Sequence, residues 1–318
     1  MHESEKRKNS LKTEKEGIHV SRSLFFVLAL LSLIWGGSFY FVKILLHDFG
    51  PWTISFLRSA CGFLTIVILM VVMKKPFGFK QIVWIPMATM ALVNTAIPWA
   101  LIAFSETKVT STMASVLNAT TPLWTLTIGI LFFKAVSGRM QWMGMLVAFC
   151  GIIVLLDVNP ETFVSVDIIG FLCMILATCC YAIGAQLSKR LPGSLSLYQI
   201  TFGTLLSTMI GSGSVTFSVE SFSLSAFASG STIGALVGIG VFGSGFAYIL
   251  YYYLVKNGGP EIASLVTYLI PLSAFVWGYT LLDEEITWSL FFGMILIVGG
   301  IFLTGKKDKK SVKQTMAV

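Results

Sequence analysis

One stretch of the chain occurs twice. Residues 114–152 recur as residues 263–301, and an offset of 149 aligns the two copies without a gap. The matched positions keep a helix-kinking proline and small residues that let helices approach closely. They include Ala114 with Ala263, Ser115 with Ser264, Pro122 with Pro271, Gly129 with Gly278, Gly144 with Gly293 and Gly151 with Gly300. Because 149 is close to half of 318, the spacing indicates a duplicated half of the chain and not a short solenoid repeat.

Long apolar runs make up both copies. Of the 318 residues, 55% are hydrophobic and 12% are charged, about half the charged fraction of an average soluble protein. A bilayer-spanning helix needs about 20 consecutive apolar residues, so the runs predict an all-α polytopic membrane protein. Their continuity excludes the short alternating segments of a transmembrane barrel. We predict ten spans: Leu24–Leu46, Trp52–Met73, Ile82–Phe104, Val109–Phe133, Met140–Leu156, Ile168–Leu187, Leu197–Phe217, Thr232–Val255, Ile262–Leu282 and Thr287–Thr304.

The distribution of charge sets the orientation of these spans. With the N-terminus inside, the cytoplasmic segments hold 19 of the 22 lysines and arginines. This is the positive-inside pattern, and it accounts for the net charge of +7 without nucleic-acid binding. We therefore expect a multi-pass protein of the cell (plasma) membrane whose tails, residues 1–22 and 305–318, are both cytoplasmic. The outer loops would hold the acidic residues Asp48, Glu106, Asp157, Glu161, Asp167, Glu220, Asp283, Glu284 and Glu285.

An odd number of spans per half has a topological consequence. The first repeat, residues 23–157, and the second, residues 158–304, must enter the membrane in opposite senses. Such inverted repeats are related by a pseudo-two-fold axis in the membrane plane, an architecture seen in secondary transporters. Weaker matches extend the repeat, since an offset of 146 pairs Trp35 with Tyr181 and Lys43 with Lys189.

Several of these motifs together resemble a known family. Trp35-Gly36-Gly37-Ser38 lies in the first span, and Pro51 with Arg58 opens the second. With the paired prolines and glycines of the repeat, the pattern resembles the EamA branch of the drug/metabolite transporter superfamily over residues 24–304. The resemblance implies a bundle of five plus five helices around a central cavity, lined mainly by spans one, three, four, six, eight and nine. It also implies export of amino acids and related metabolites, or carriage of sugars and nucleotide sugars.

Polar residues within spans are the candidates for substrate binding, because unsatisfied polar groups are costly in lipid. Asn118 lies on one helical face with Ser115 and Pro122, and Thr267 shares the corresponding face with Ser264 and Pro271. Either these faces meet a substrate, or their small polar groups hydrogen-bond between helices. The prolines are candidate hinges, with a static kink as the alternative.

Aromatic residues would supply the walls of such a site. Aromatic side chains beside a few polar groups are typical of a small-molecule pocket, whereas aromatics at span ends form an interfacial belt. We predict that the substrate-binding residues are Trp35, Ser38, Asn94, Trp99, Asn118, Tyr181, Tyr248, Thr267 and Tyr268, with hinges at Pro98, Pro122 and Pro271.

Arg58 and Lys43 are charged residues near the outer ends of their spans. Arg58 could hold a substrate carboxylate, but we favour a structural role, in which it snorkels outward or pairs with Asp48. No acidic residue is predicted deep in a span, so no proton-relay site is visible. No nucleotide-binding, metal or nucleophile pattern is visible either, so we expect no enzyme activity, metal or cofactor.

The inverted repeats and the polar and aromatic residues within the spans therefore predict a secondary transporter of small metabolites by alternating access, and the family resemblance implies that it exports amino acids or related compounds. An uptake carrier or permease for a sugar, nucleoside or other metabolite is the alternative. A membrane enzyme, a receptor scaffold and a channel fit less well, because clustered intramembrane acids or histidines, a folded soluble domain and a continuous polar stripe are all missing. The expected partners are a small-molecule substrate and the lipid bilayer; the sequence leaves the oligomeric state open, and a monomer is compatible with it.

Overall fold

The computed structural model describes residues 22–135, 137–155, 167–221, 224–273 and 288–304, which form helices with no β-strand among them. Two π-helical segments, Leu92–Ala96 and Val237–Phe246, and a 3₁₀ turn at Leu224–Ala228 accompany the α-helices. The α-helices are α1 (Arg22–Gly36), α2 (Ser38–Leu45), α3 (Pro51–Val72), α4 (Trp84–Ala91), α5 (Ile97–Glu106), α6 (Ser111–Asn118), α7 (Thr121–Phe133), α8 (Arg139–Leu155), α9 (Ile168–Lys189), α10 (Leu197–Val219), α11 (Gly230–Leu236), α12 (Ala247–Ser264), α13 (266–273) and α14 (Trp288–Thr304).

Seven helical stretches of the described chain are long and apolar enough to cross a bilayer, and two apolar helices are shorter. The prediction of a helical, multi-pass membrane protein is confirmed at this level. The seven are Arg22–Leu45, Pro51–Val72, Trp84–Glu106, Met113–Phe133, Ile168–Lys189, Leu197–Val219 and Gly230–Ser264, and the shorter two are Arg139–Leu155 and Phe291–Thr304. Residues 1–21 of the predicted tail 1–22, the tail at 305–318, the repeat boundary at 157/158 and the second half of the ninth span lie outside the described residues, and Arg22 begins α1.

The outer surface of the bundle is apolar. Ile85 is 82% exposed, and Val72 and Phe132 are each 73% exposed, on three different helices. A soluble protein does not present so many large apolar side chains to water, whereas lipid chains solvate them at no cost. The interior has its own apolar core, which includes Leu28 of α1 and Met90 of α4.

The predicted first and fourth spans are not continuous helices. The first is interrupted at Gly37, between α1 and α2. The fourth is interrupted after Asn118, because Pro122 has no backbone N–H to donate to the Asn118 carbonyl. That carbonyl accepts the hydroxyl of Thr121 instead, at 2.6 Å. The interruption ends α6 at Asn118, so this amide lies at a helix terminus.

A third interruption separates the predicted eighth and ninth spans. Gly259 has a φ of +85°, in the left-handed region that favours glycine, and Pro260 follows it. Residues Ala247–Ser264 are therefore two helices joined at a kink.

The two π-helical segments occupy equivalent places in the repeat. At the offset of 149, residues 92–96 fall on residues 241–245, inside Val237–Phe246. In the first segment Pro98 lacks the N–H that an α-helix would direct to the carbonyl of residue 94. In the second, four glycines between 238 and 245 weaken the preference for regular α-helix. π turns are rare and often mark functional sites, and the sequence patterns did not predict them.

Glu220, predicted as an outer-loop acid, caps the helix that carries Arg58. Its carboxylate accepts the backbone N–H groups of Trp52 and Thr53 at 3.0 and 2.8 Å, and the Thr53 hydroxyl at 2.7 Å. The first N–H groups of a helix have no partner within the helix, and a carboxylate there also complements the helix dipole. The end of α10 therefore fixes the start of α3.

Helices α8 and α14 pack together through glycines. A methyl group on Gly144 would lie 2.5 Å from the carbonyl oxygen of Gly300, and a methyl group on Gly300 would lie 2.5 Å from the carbonyl oxygen of Gly144. Gly151 faces Gly293 in the same way, at 2.9 Å from its carbonyl oxygen. The earlier glycine of α8 faces the later glycine of α14, and the later one of α8 faces the earlier one of α14, so the two helices are antiparallel. Only residues without a side chain permit this approach.

The glycine contact yields a first prediction. Gly300→Ala should lower the unfolding temperature in detergent, because its methyl group would overlap the backbone of α8, at an expected cost of about 1–3 kcal/mol. Gly299→Ala is the matched control, since no atom of the described residues beyond its chain neighbours and its own helical backbone lies within 4 Å of the position its methyl group would take. Equal unfolding temperatures for the two variants would contradict the contact.

Candidate functional site

A pocket lies among the helices, in the interior of the bundle. Its walls come from predicted spans one, two, three, four, six, eight and nine, and the space between them, including its mouth, is about 740 Å³. Eight of the nine predicted binding residues line it: Trp35, Ser38, Asn94, Trp99, Asn118, Tyr181, Tyr248 and Thr267. The structure brings these residues together; their binding of a substrate stays a prediction.

Aromatic rings form one wall of the pocket. Tyr248 packs edge-to-face against Trp99, with ring centroids 5.6 Å apart, and against Trp35 at 6.0 Å. Tyr251 extends the cluster, with its ring 5.6 Å from that of Tyr248. Tyr251 lies near the cytoplasmic end of the predicted eighth span, where an aromatic residue favours an interfacial belt, but it is 8% exposed and lines the pocket. Contacts of this kind hold the rings in fixed orientations.

The indole of Trp35 is tied to the second π segment. Its Nε1–H donates to the carbonyl oxygen of Gly243 at 2.8 Å. A π turn leaves backbone carbonyls outside the regular α-helical pattern, and a buried carbonyl needs a donor. The bond therefore satisfies this carbonyl and fixes the indole.

Several polar atoms of the pocket have no protein partner. Both amide atoms of Asn94, the Oδ1 atom of Asn118 and the hydroxyl of Ser38 are buried without a hydrogen bond in the described structure. The hydroxyls of Tyr251 and Tyr252 lie near the Asn94 amide, but neither pair meets hydrogen-bond geometry. Buried polar groups are nearly always paired, so groups left open beside a pocket are available to a ligand.

The other polar candidates are already bonded within their own helices. Thr267 donates to the carbonyl of Ser264 at 2.9 Å, and the hydroxyl of Ser264 donates to the carbonyl of Glu261 at 2.8 Å. Both residues line the pocket, so their hydroxyls can still accept from a ligand.

The remaining sequence candidates lie away from the pocket. Tyr268 is fully buried and donates to the carbonyl of Met145 at 3.0 Å, so it holds α13 to α8. Its mid-span position predicted the cavity, but its side chain is directed to another helix. Pro98, Pro122 and Pro271 lie within or at the start of helices and do not line the pocket; their role as hinges stays a prediction.

Arg58, for which the sequence analysis favoured a structural role over substrate binding, lies at the pocket. It is 7% exposed and lines the pocket, so it does not snorkel outward. Its Nε–H donates to the hydroxyl of Ser244 at 3.0 Å, and its guanidinium lies 3.8 Å over the ring of Trp99. Asp48, which the sequence analysis offered as an ion-pair partner of Arg58, accepts the hydroxyl of Thr232 instead. The position of Arg58, two turns into the second span, could have suggested that its side chain is buried.

Glu106 is a second correction. The sequence placed it in an outer loop, but it is the last residue of α5 and is fully buried. One carboxylate oxygen accepts the hydroxyl of Ser111 at 3.0 Å, the other has no partner in the described structure, and its backbone carbonyl accepts Lys43 at 2.7 Å. These bonds join the ends of three spans.

The architecture and the pocket define a class, a helical membrane protein with an internal pocket, and comparison with known proteins identifies the family within that class. The model of the EamA-like transporter family matches residues 22–157 and 168–306. The chain belongs to this family.

Known relatives cover nearly the whole chain. An uncharacterized transporter of Archaeoglobus fulgidus is 26% identical over 89% of this chain and 97% of its own length. The uncharacterized inner membrane transporter YedA of Escherichia coli K12 is 25% identical, over 88% of this chain and 92% of its own. Protein PagO of Salmonella typhimurium is 27% identical, over 90% of this chain and 93% of its own length. A solved crystal structure has the same fold, with a TM-score of 0.70 over 89% of this chain and 98% of that chain at 16% identity.

The unpaired amide yields a second prediction. Asn94→Leu should raise the free energy of unfolding by about 1 kcal/mol or more, because it removes two buried polar atoms that have no partner. Thr95→Val is the neighbouring control, and it should lower stability by about 1 kcal/mol. Its hydroxyl is bonded to Thr208 and to the carbonyl of Ala91. Thermal unfolding of the purified protein in detergent measures both, and destabilisation by Asn94→Leu would mean that the amide is satisfied.

Proposed function

We propose that the protein is a secondary transporter in which two inverted five-helix repeats, residues 23–157 and 158–304, move small metabolites through the membrane by alternating access. The observation that carries the proposal is the pocket, where unpaired polar atoms of Asn94, Asn118 and Ser38 stand beside an aromatic wall. Such a site keeps polar groups unsatisfied until a ligand arrives, which is costly for a structural core and useful for a carrier.

Reciprocal contacts support the inverted arrangement. Under a two-fold relation, if a residue of one half meets a second residue of the other, their counterparts meet as well. Gly144 faces Gly300, and Gly151, the counterpart of Gly300, faces Gly293, the counterpart of Gly144.

The pocket repeats this pattern. Gly243 lies near the hydroxyl of Ser38, and Gly184, the counterpart of Ser38, packs against Asn94, the counterpart of Gly243. The two π segments fall at matching positions beside the pocket. These pairs favour two halves that are related by a two-fold axis and able to exchange conformations, and the positive-inside pattern favours ten spans with both tails in the cytoplasm.

Within this proposal the cargo is an amino acid or a related small metabolite, the direction is export, and the protein acts in the plasma membrane. Relatives named as transporters support the transport class. The closest rival, an uptake carrier for a sugar, nucleoside or other metabolite, would use the same pocket. In a strain that overproduces the protein, resistance to toxic amino-acid analogues indicates export and hypersensitivity indicates uptake.

Counterflow provides the direct test of transport. Proteoliposomes loaded with an unlabelled amino acid should accumulate the same labelled amino acid transiently. Asn118→Leu should abolish this accumulation, because it removes an open acceptor of the pocket. Asn257→Leu should not, since the Asn257 amide is exposed and bonded to the carbonyl of Tyr253. Folded protein that moves none of the amino acids, sugars or nucleosides in a panel would refute the proposal.

Topology provides an independent test. Reporter fusions at the two ends of the chain should both report the cytoplasm, and a fusion in the loop between α9 and α10 should do the same. A fusion between α3 and the preceding helix should report the outside. Tails on opposite sides of the membrane would exclude two inverted repeats of five spans.

A further inference from the structure

We propose that Arg58 binds a carboxylate group of the transported substrate, so that the cargo is a small carboxylate with an apolar or aromatic body and not an organic cation. The inference rests on the transporter function proposed above and specifies the chemistry of the same pocket. It depends on four features of the described residues: the burial of Arg58, its lack of an acidic partner, the bonds that orient it and the composition of the pocket.

Arg58 is a buried charge without a compensating acid. Arg58 is 7% exposed, and the ion pair found among the described residues is at another place, between Lys108 and Asp167. Buried charges in proteins are normally paired or hydrogen-bonded, because desolvation disfavours an isolated ion. Contact with the Trp99 ring offsets part of this penalty. An anion from outside the chain would supply the missing counter-charge.

The contacts of the guanidinium leave it ready for a ligand. Ser244, which receives the Nε–H, donates in turn to the carbonyl of Ile239 at 2.9 Å, so the second π segment anchors one edge. The ring of Trp99 covers one face. Arginine has five N–H donors, and the four on its Nη atoms form the fork that matches a carboxylate. With one edge and one face fixed, the fork has a set orientation.

Close packing holds this arrangement in place. A methyl group on Gly62, one turn beyond Arg58, would lie 2.9 Å from the Cβ atom of Ser244. Helix α3 therefore lies directly against the second π segment, and the Arg58–Ser244 bond has little room to vary.

The composition of the pocket argues against cations. Among the described residues that line it, Arg58 is the only one with a charge, and neither aspartate nor glutamate is present. An organic cation would meet a like charge with no acid to balance it. A carboxylate meets Arg58, and an additional ammonium group would have the Oδ1 atoms of Asn94 and Asn118 as acceptors. Trp35, Trp99 and Tyr248 would receive an apolar or aromatic body.

A matched set of phenyl compounds tests the inference on the unmodified, full-length protein. Thermal unfolding in detergent is measured with 3-phenylpropionate, phenylalanine, phenylalaninamide and 2-phenylethylamine. Phenylalanine or 3-phenylpropionate should raise the unfolding temperature, and the amide and the amine should not. A shift with both acids means that the carboxylate suffices, and a shift with phenylalanine alone adds a requirement for the ammonium group. If neither 3-phenylpropionate nor phenylalanine shifts the unfolding temperature, or if the amine shifts it as much as the acids do, the inference is overturned.

Variants of Arg58 distinguish a role in substrate binding from a purely structural role. Arg58→Lys keeps the charge but loses the fork, and Arg58→Gln loses both, so the apparent Kd for the acid should rise at least tenfold in each folded variant. Lys108→Gln is the control, because it removes a partly exposed cation outside the pocket and should leave the Kd unchanged. A purely structural Arg58 would lower the unfolding temperature and leave the Kd of the folded fraction unchanged, which also overturns the inference.

The proposed function can fail independently. Counterflow of a compound that lacks a carboxylate, at equal rates in the unmodified protein and in Arg58→Gln, would overturn the carboxylate inference and leave the transporter standing.

Discussion

Within the hydrocarbon region no water is available to satisfy backbone groups, and this constraint decides where the helices of this protein can be interrupted. An interruption is tolerated only where other protein groups or a cavity receive the freed carbonyls and N–H groups. The break at Gly37, the end of α6 at Asn118 and both π segments lie beside the pocket. The carbonyl of Gly243, in the second π segment, accepts the indole N–H of Trp35. The irregular backbone and the pocket thus occur together for one physical reason.

The same constraint makes the polar groups of the pocket expensive. Asn94 and Asn118 have amide atoms without partners, and Arg58 has a buried charge. Each lowers the stability of the empty protein. The surrounding aromatic contacts and the apolar core at Leu28 and Met90 offset this cost and keep the polar groups in place. A ligand that pairs with these groups recovers part of the penalty on binding.

Much of the architecture could be predicted from the sequence because helix formation in lipid depends on local composition. The predicted ends of α3 and α10 differ from the structure by no more than two residues. The residues at the pocket could be predicted where helical spacing or the repeat placed them mid-span, as for Trp35, Asn94 and Asn118. Tyr268 shows the limit, since a mid-span position does not say which neighbouring helix a side chain meets.

Other features depend on contacts between segments distant in sequence. The burial of Arg58 follows from Ser244 and Trp99, which are 186 and 41 positions away. Glu106 is buried because Ser111 and Lys43 meet it, although its place at the end of a span suggested a loop. The π segments arise from a proline in one case and glycines in the other, and no single pattern covers both. In each case the local sequence was compatible with two environments, and tertiary contacts selected one.

The glycine seam between α8 and α14 has a consequence for how such a chain can change over time. The two backbones contact each other directly, so a larger residue at Gly144 or Gly300 would collide with main-chain atoms. Unlike a side chain, the main chain cannot move aside by adopting another rotamer. A second substitution on the facing helix cannot make room, because the facing residue is already a glycine, the smallest residue. This line of contact therefore accepts fewer substitutions than the lipid-facing surface, where a larger apolar side chain meets only lipid.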